Sequence, residues 1–203
     1  MRRFALCLAL AITAPFSQAT TLDQQRVQFK ASYELIKHGK LTSLQKAPDS
    51  LKEYALYPYL EFELNKKNLS HTKQAQIDSF AKRYADTPLP WQLNRAWLSY
   101  LYKNKRWKDY RAAYKQHPVK NDLYSCRLQV ARLNSGAKKQ ALKAAESLWL
   151  VPHSQHDACD PLFDAWKKTG QPNSALALKR FWLAAEKGNT RLARFIERSI
   201  KHK

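Results

Sequence analysis

Apolar residues recur every three or four positions along the chain, and this spacing restricts the fold more than any other feature of the sequence. Leu93, Trp97 and Leu101 form one such stripe. Spacing of this kind places side chains on one face of an α-helix, whereas strands alternate every second residue. The chain has only four glycines and no alternating run of β-branched residues, so we predict an all-α protein. The other stripes are Trp107, Tyr110 and Tyr114; Cys126, Val130 and Leu133; Leu142, Ala145 and Trp149; Leu178, Phe181, Trp182 and Ala185; and Leu192, Phe195, Ile196 and Ile200.

Helix-breaking residues divide these stripes into short segments. They lie at Gly39, Pro48, Lys67-Asn68, Thr87-Pro88, Asn104, His117-Pro118, Gly136, Pro152, Gly170-Gln171-Pro172 and Gly188. This division predicts about ten or eleven helices of roughly 10–17 residues. Gly136 and Gly170 are 34 residues apart, which is the period of tetratricopeptide hairpins. Because the N-terminal half lacks this period, we predict an irregular α-superhelix, a solenoid of short antiparallel helices with tetratricopeptide-like hairpins.

The first 19 residues have the layout of a secretory signal peptide. Arg2 and Arg3 precede an apolar run from Phe4 to Phe16, and small residues follow it up to Ala19. The run is too short for a stable membrane anchor, and no other apolar run approaches membrane length. We therefore expect cleavage near Ala19, an exported protein without a transmembrane segment, and one domain over residues 20–203.

Cleavage would leave two of the three cysteines. Cys7 lies within the signal, so Cys126 and Cys159 remain. Exported proteins meet oxidising conditions, and an even pair of cysteines there predicts one disulfide. In the chain-entropy model, such a bond stabilises the fold by about 3–4 kcal/mol.

The chain is strongly basic, with 36 Lys and Arg against 16 Asp and Glu and a net charge of +20. Such a charge predicts attraction to polyanions. An exported protein meets little nucleic acid, so we expect an anionic cell-envelope polymer or an acidic envelope protein as the partner instead. A hydrophobic content of 44% is ample for a packed core and argues against disorder.

Patterns typical of catalytic sites are weak in this sequence. Glu61 and Glu63 form an acid pair of the type that cleaves glycosides. On a helix, a two-residue step turns the side chain by about 200°, so the pair points to opposite faces. The neighbouring Pro58 and tyrosines favour a structural role for this segment. No nucleophile–histidine–acid spacing and no glycine-rich phosphate loop occurs, so we expect no catalytic residue and no cofactor.

The run from Trp91 to Lys115 interleaves tryptophan and tyrosine with lysine and arginine. Aromatic rings and cations together bind single-stranded nucleic acids or sugar polymers. The rings follow the helical stripe, however, which favours a core position for them and a solvated basic edge at the turn. A polymer-contacting edge is the alternative, and its candidate residues are Lys103, Lys105, Arg106, Trp107 and Lys108.

The segment HSQHDACD brings together four side chains that bind zinc elsewhere, namely His153, His156, Asp157 and Cys159. A disulfide would remove the Cys159 thiolate. The adjoining Asp160-Pro161 pair is typical of a helix start, with Asp at the N-cap and Pro at the first helical position. We therefore predict a disulfide and a helix cap here, and no metal site.

The segments LKEYALYPYLEFEL and RAWLSYLYKNKRWKDYRAAY are followed by a longer one from CRLQVARLNSG to LAAEKGN. Together they resemble the N-terminal part of the periplasmic soluble lytic murein transglycosylases, from about Leu22 to Ile200. The longer segment carries the family's order of residues in Leu148-Trp149-Leu150, Ala158-Cys159-Asp160, Leu162-Phe163, Trp166, Gly170 and Gly188-Asn189.

The resemblance implies a periplasmic location and a U-shaped superhelical α-domain, of which residues 20–203 would be a part. It also implies a disulfide between Cys126 and Cys159. In that family a separate C-terminal lysozyme-like domain cleaves the MurNAc–GlcNAc bond of peptidoglycan and leaves a 1,6-anhydro product. Its catalytic glutamate lies in a Glu-Ser signature, followed by Gly-Leu-Met-Gln and Ala-Tyr-Asn-Ala-Gly segments. Glu146-Ser147 stands without these companions, so we assign Glu146 no catalytic role and expect the lysozyme-like domain to be absent.

The leading hypothesis is therefore a non-catalytic helical scaffold of a periplasmic lytic murein transglycosylase, associated with peptidoglycan. The alternative is a periplasmic protein–protein adaptor built on the same solenoid. A third hypothesis is muramidase activity through a site that the sequence does not reveal.

Overall fold

The computed structural model describes residues 21–201 as ten α-helices, and this range contains no β-strand. The all-α prediction is thereby confirmed. None of the described helices is both long and apolar enough to cross a bilayer. The predicted signal peptide, residues 1–19, lies outside the described residues. The helices are α1 (Leu22–Lys37), α2 (Tyr57–Lys67), α3 (Gln74–Arg83), α4 (Leu89–Lys103), α5 (Trp107–Gln116), α6 (Asp122–Leu133), α7 (Lys138–Trp149), α8 (Asp160–Lys167), α9 (Ser174–Glu186) and α10 (Thr190–Lys201).

The chain divides into two compact units, and the first ends at Lys67. It contains α1, α2 and two short 3-10 turns between them. Thr21 begins α1 with a capping box, in which its hydroxyl accepts from the Gln24 amide. Apolar side chains from both helices and the turns form the core, and Pro58 lies in the first turn of α2. The fully covered members of this core are Ile36, Leu41, Leu51 and Leu60.

The second unit, from Asn68 onward, contains α3 to α10. Each helix from α3 to α7 packs on the next one along the chain, α8 also contacts α6, and α9 pairs with α10. Polar side chains join the early helices. The Trp97 indole N–H donates to Gln74 Oε1 at 2.8 Å, and His117 Nε2 lies 2.9 Å from Asp78 Oδ1. A single apolar cluster then extends through α6 to α10.

Glycine ends the helices at the two positions whose spacing predicted a repeat. Gly136 has φ = 80° between α6 and α7, and Gly170 has φ = 83° between α8 and α9. Only glycine adopts this left-handed conformation without a steric cost. Both predicted turns are therefore present.

The predicted stripes describe the core well on α4 but not on α9. Leu93, Trp97 and Leu101 are buried. Leu178 and Trp182, by contrast, are 48% and 56% exposed, so the apolar stripe does not mark the buried face of this helix. Phe195 on α10 is likewise 63% exposed, whereas its stripe partners Leu192 and Ile196 are buried.

On α9 the face that points to the core is not the one that carries Leu178 and Trp182. Its buried face consists of Ala177, Arg180 and Ala184. The two small alanines allow close packing of the neighbouring helices, and Arg180 reaches carbonyl groups of an adjacent loop. Hydrophobicity alone assigns the wrong face because it treats arginine as a surface residue.

Candidate functional site

The chemically richest stretch of the sequence, Val151 to Trp166, contains one half of a disulfide. Cys126 on α6 and Cys159, in the 3-10 turn Asp157–Cys159, are bonded, and both are fully buried. The two cysteines are 33 residues apart in the chain, so the bond joins α6 to the start of α8. As a disulfide sulfur, Cys159 supplies no thiolate for a metal or for nucleophilic attack.

The two histidines of this stretch are exposed and make local contacts. The His156 ring Nδ1 accepts from the Ala158 amide at 3.0 Å, which caps the 3-10 turn. The His153 ring Nδ1 lies 3.1 Å from the Ser154 carbonyl oxygen. Within residues 21–201, no group of three His, Cys, Asp or Glu side chains lies close enough to hold a metal ion.

The predicted helix cap lies at a different residue. Helix α8 begins at Asp160, with Pro161 in its first turn, and Asp160 makes no capping contact with its side chain. The prediction of Asp160 as the N-cap was therefore wrong. The 3-10 turn runs directly into α8, so the free amides lie further upstream, and the His156 ring satisfies one of them.

Arg180 holds the loop between α7 and α8 in place. Its Nε donates to the Val151 carbonyl at 3.2 Å and its Nη2 to the His153 carbonyl at 3.0 Å. Its guanidinium lies 4.5 Å from the ring centre of Trp149. Burial lowers the pKa of Arg180 to about 10, so the side chain stays charged at neutral pH. Asn189 Nδ2 adds a bond to the Pro152 carbonyl at 3.1 Å.

The predicted basic edge lies at the turn between α4 and α5. Arg106 is paired with Asp109, with Nε 2.8 Å from Oδ2, and lies over the Trp97 ring. Trp107 is half-buried against the Tyr102 ring. The remaining three candidates are exposed, and in the described part of the chain none lies within 4.0 Å of a carboxylate: Lys103, Lys105 and Lys108.

A second basic surface lies between α4 and α6. Arginines and aromatic rings alternate along it in the order Trp91, Arg95, Tyr124, Arg127 and Tyr102. We call these five residues the arginine ladder. The Arg95 guanidinium carbon lies 4.4 Å from the Trp91 ring centre and 5.6 Å from that of Tyr124. The Arg127 carbon lies 5.6 Å from Tyr124 and 4.9 Å from Tyr102.

The charge of the ladder is not neutralised within it. Among residues 21–201, neither Arg95 nor Arg127 lies within 4.0 Å of a carboxylate. Burial raises the pKa of the Tyr102 phenol, an effect that Arg127 partly opposes, so Tyr102 carries no compensating negative charge. Arg127 donates one bond, to Ser99 Oγ at 3.2 Å, while its Nε is buried without an acceptor in this part of the chain.

A shallow pocket of about 280 Å³ opens beside the ladder. This volume is slightly below the roughly 300–1,000 Å³ range of ligand pockets. Arg95, Ser99 and Tyr124 form one wall, and the half-exposed Trp91 indole forms the rim. The Arg95 guanidinium, the Tyr124 phenol and the exposed Trp91 ring thus line the same space.

The sequence analysis missed Arg127 and Tyr124 as members of a basic surface because they lie about thirty residues after Arg95 in the chain. A signal was present in the spacing. Trp91, Arg95, Ser99 and Tyr102 follow one face of a helix at steps of three and four residues, and Tyr124 and Arg127 are three apart. Only the packing of α4 against α6 brings these two faces together.

No protein-family model matches the chain. Over 191 residues, 94% of the chain, it is 27% identical to the soluble lytic murein transglycosylase of Escherichia coli K12, and it is 26% identical to that of Salmonella typhimurium LT2 over the same length. The chain is homologous to the soluble lytic murein transglycosylases. It spans 30% of the length of these relatives.

Solved structures of these transglycosylases share the fold. The 70 kDa soluble lytic transglycosylase of Escherichia coli matches 89% of this chain with a TM-score of 0.73 and 26% identity, over 29% of its own length. An inactive mutant of the lytic transglycosylase Slt from Pseudomonas aeruginosa matches 85% of this chain with a TM-score of 0.68, over 28% of its length. This likeness confirms the predicted helical fold.

Proposed function

We propose that this chain is a non-catalytic helical scaffold of a periplasmic lytic murein transglycosylase and that it binds peptidoglycan. The observation that carries this proposal is the homology to soluble lytic murein transglycosylases over 94% of the chain. Murein is the substrate class in the names of these relatives, so a murein-associated role accounts for homology along almost the entire chain.

The charge distribution supports an anionic ligand. Several of the few carboxylates are used in pairs with lysine or arginine three residues away, as in Asp23 with Arg26 and Asp164 with Lys167. The net charge of +20 therefore resides on many cations without local partners. Peptidoglycan carries carboxylates on its sugars and peptides, and exposed charges attract them in a manner that salt weakens.

The surroundings of Glu146 support a role without catalysis. A general acid in glycoside cleavage needs surroundings that keep its carboxyl protonated. Glu146, which stands in the sole Glu-Ser pair of the sequence, is exposed to water on α7. Its carboxyl is in contact with solvent, so it lacks the enclosed surroundings that the reaction requires.

Co-sedimentation with purified sacculi tests the binding proposal. We expect the chain to be retained at low salt and released progressively as salt increases. Mass spectrometry of the supernatant tests catalysis, and we expect no anhydro-muropeptides. A chain that stays in the supernatant at low salt contradicts the binding proposal, and released anhydro-muropeptides contradict the non-catalytic one.

A second candidate is a periplasmic adaptor that binds another protein. The exposed apolar side chains Leu178, Trp182 and Phe195 favour it, since large apolar groups on a surface mark protein contacts. A pulldown from periplasmic extract with the chain and its Trp182→Ala variant tests this. A stoichiometric protein partner that the variant loses, together with no retention on sacculi, favours the adaptor.

A further inference from the structure

We propose that the arginine ladder and its pocket bind a carboxylate-bearing sugar unit of a glycan strand. Arg95 binds the carboxylate, and the Trp91 indole stacks on the sugar ring. This inference rests on the proposed function and names the surface that performs it. It replaces the turn at Lys103 to Lys108 as the principal contact with the polymer.

The Arg95 guanidinium has few hydrogen-bond partners within the fold. Its only hydrogen-bond contact as a donor among the described residues is a long one, 3.5 Å from Nε to the Tyr124 phenol oxygen. A guanidinium presents five N–H donors in a planar fork that fits a carboxylate bidentately. Its terminal N–H groups therefore keep their capacity for an anion beside the pocket.

A comparison with Arg180 separates binding from structural use. Arg180 is 6% exposed, and two of its nitrogens donate to carbonyl groups of the loop that it holds. Arg95 is half-exposed and makes no comparable pair of bonds. Both lie over a tryptophan ring, at 4.5 Å and 4.4 Å. The two arginines thus lie at similar distances from an indole, but they differ in their bonds. Arg180 uses two nitrogens to hold its loop, whereas neither terminal nitrogen of Arg95 has an acceptor among the described residues.

The Trp91 ring beside Arg95 is exposed to solvent. Trp91 is 54% exposed at the rim of the pocket, although its neighbours Leu93 and Trp97 on α4 are buried. One face of a pyranose ring consists largely of C–H groups, and burying it against an indole removes apolar surface from water. Arg95 contacts the same indole. A single sugar unit stacked on Trp91 can therefore place its carboxylate at Arg95.

Hydrogen bonds hold the arginine ladder in place before any ligand binds. The Tyr124 hydroxyl donates to the Arg95 carbonyl at 3.3 Å and lies 3.2 Å from Ser99 Oγ. The buried Tyr110 hydroxyl donates to the Tyr124 carbonyl at 3.2 Å. The two Tyr124 hydroxyl contacts fix α4 to α6, and the Tyr110 bond fixes α5 to α6. Little side-chain ordering therefore opposes binding. A pocket of about 280 Å³ suits one sugar unit.

The carboxylate has two sources in a peptidoglycan strand: the lactyl group of a muramyl sugar without a peptide, or the peptide stem. Titration calorimetry of the full chain with three probes separates them. The probes are a GlcNAc–MurNAc disaccharide with a free lactyl carboxylate, the same disaccharide bearing its peptide, and the neutral disaccharide chitobiose. We expect at least one charged probe to bind about tenfold or more tightly than chitobiose, and the tighter one identifies the source.

Matched variants test the residues. Arg95→Gln and Lys103→Gln remove the same charge, and Trp91→Ala and Trp182→Ala remove equally exposed indoles. We expect the two ladder variants to lose about tenfold or more in affinity for the charged probe, which is roughly 1.4 kcal/mol. The two control variants should stay within about twofold. Arg95→Lys keeps the charge without the fork, and an intermediate affinity is expected.

Each outcome decides between the two levels of the proposal. Equal losses in Arg95→Gln and Lys103→Gln overturn the ladder site and leave diffuse electrostatic attraction. Wild-type retention on sacculi with unchanged binding by both ladder variants overturns the ladder but not the proposed function. Absence of wild-type retention overturns the proposed function itself. Circular dichroism and melting establish that each variant is folded, and Arg95→Lys replaces Arg95→Gln if the latter is not.

Discussion

Two regions of the second unit differ in how far their polar side chains are already used within the fold. The stretch from Val151 to Trp166 contains histidines, acids and a cysteine. Its Cys159 is held in a disulfide, its His156 caps a turn, and backbone carbonyls within it accept from Arg180. The arginine ladder contains no acid or histidine, yet Arg95 and Arg127 have no carboxylate partner among the described residues. Unspent hydrogen-bonding capacity, more than the presence of reactive residue types, indicates where a ligand can bind.

The largest effect is expected from removing the disulfide. Replacing Cys126 and Cys159 together by serine should lower the free energy of unfolding by about 3–4 kcal/mol. The unfolded variant gains the conformational entropy that closure of a 33-residue loop removes from the wild type. Urea denaturation of the wild type and the double variant measures this. The variant should still bind the charged sugar probe at temperatures where it is folded. A loss below about 1 kcal/mol would contradict a stabilising role for the disulfide.

A smaller decrease in the free energy of unfolding is expected from Arg180→Met, which leaves the Val151 and His153 carbonyls without their donor. The decrease should be about 1–3 kcal/mol. Lys179→Met is the matched control, since Lys179 is exposed on the same helix, and it should stay within about 0.5 kcal/mol of the wild type. Equal stability of the two variants would show that the anchor bonds contribute nothing.

High pH should destabilise the region behind the ladder. Burial raises the pKa of the Tyr110 phenol, so above pH about 10 the unfolded chain releases this proton while the folded chain keeps it. Stability due to Tyr110 is therefore complete below pH 10 and falls by about 1.4 kcal/mol per pH unit above it. Tyr110→Phe should reduce the slope by this amount in urea denaturation between pH 9.5 and 11. An unchanged slope would contradict the prediction.

The smallest effects concern the histidines. His156→Ala should cost about 0.5–1 kcal/mol through loss of the turn cap, whereas His153→Ala should be neutral within about 0.5 kcal/mol. Neither zinc nor EDTA should change the melting temperature of the wild type. A zinc-dependent rise that both histidine variants abolish would restore the metal hypothesis for this stretch.

The sequence predicts the elements of the fold better than their faces. Breakers and helical spacing predict the α-helices and the turns at Gly136 and Gly170, because these features depend on local backbone preference. The apolar stripe does not mark the core face of α9, because Arg180 is buried by contacts with a loop about 28 residues earlier in the chain. The arginine ladder was missed for a related reason, since its two helices meet only in the packed structure.

The most direct test of the account compares two charge-matched double variants on purified sacculi at low salt. Trp91→Ala with Arg95→Gln removes the ladder's ligand-binding groups, and Trp182→Ala with Lys103→Gln removes an equivalent indole and charge elsewhere. We predict that most of the first variant stays in the supernatant while the second sediments like the wild type. Equal sedimentation of the two variants would contradict it.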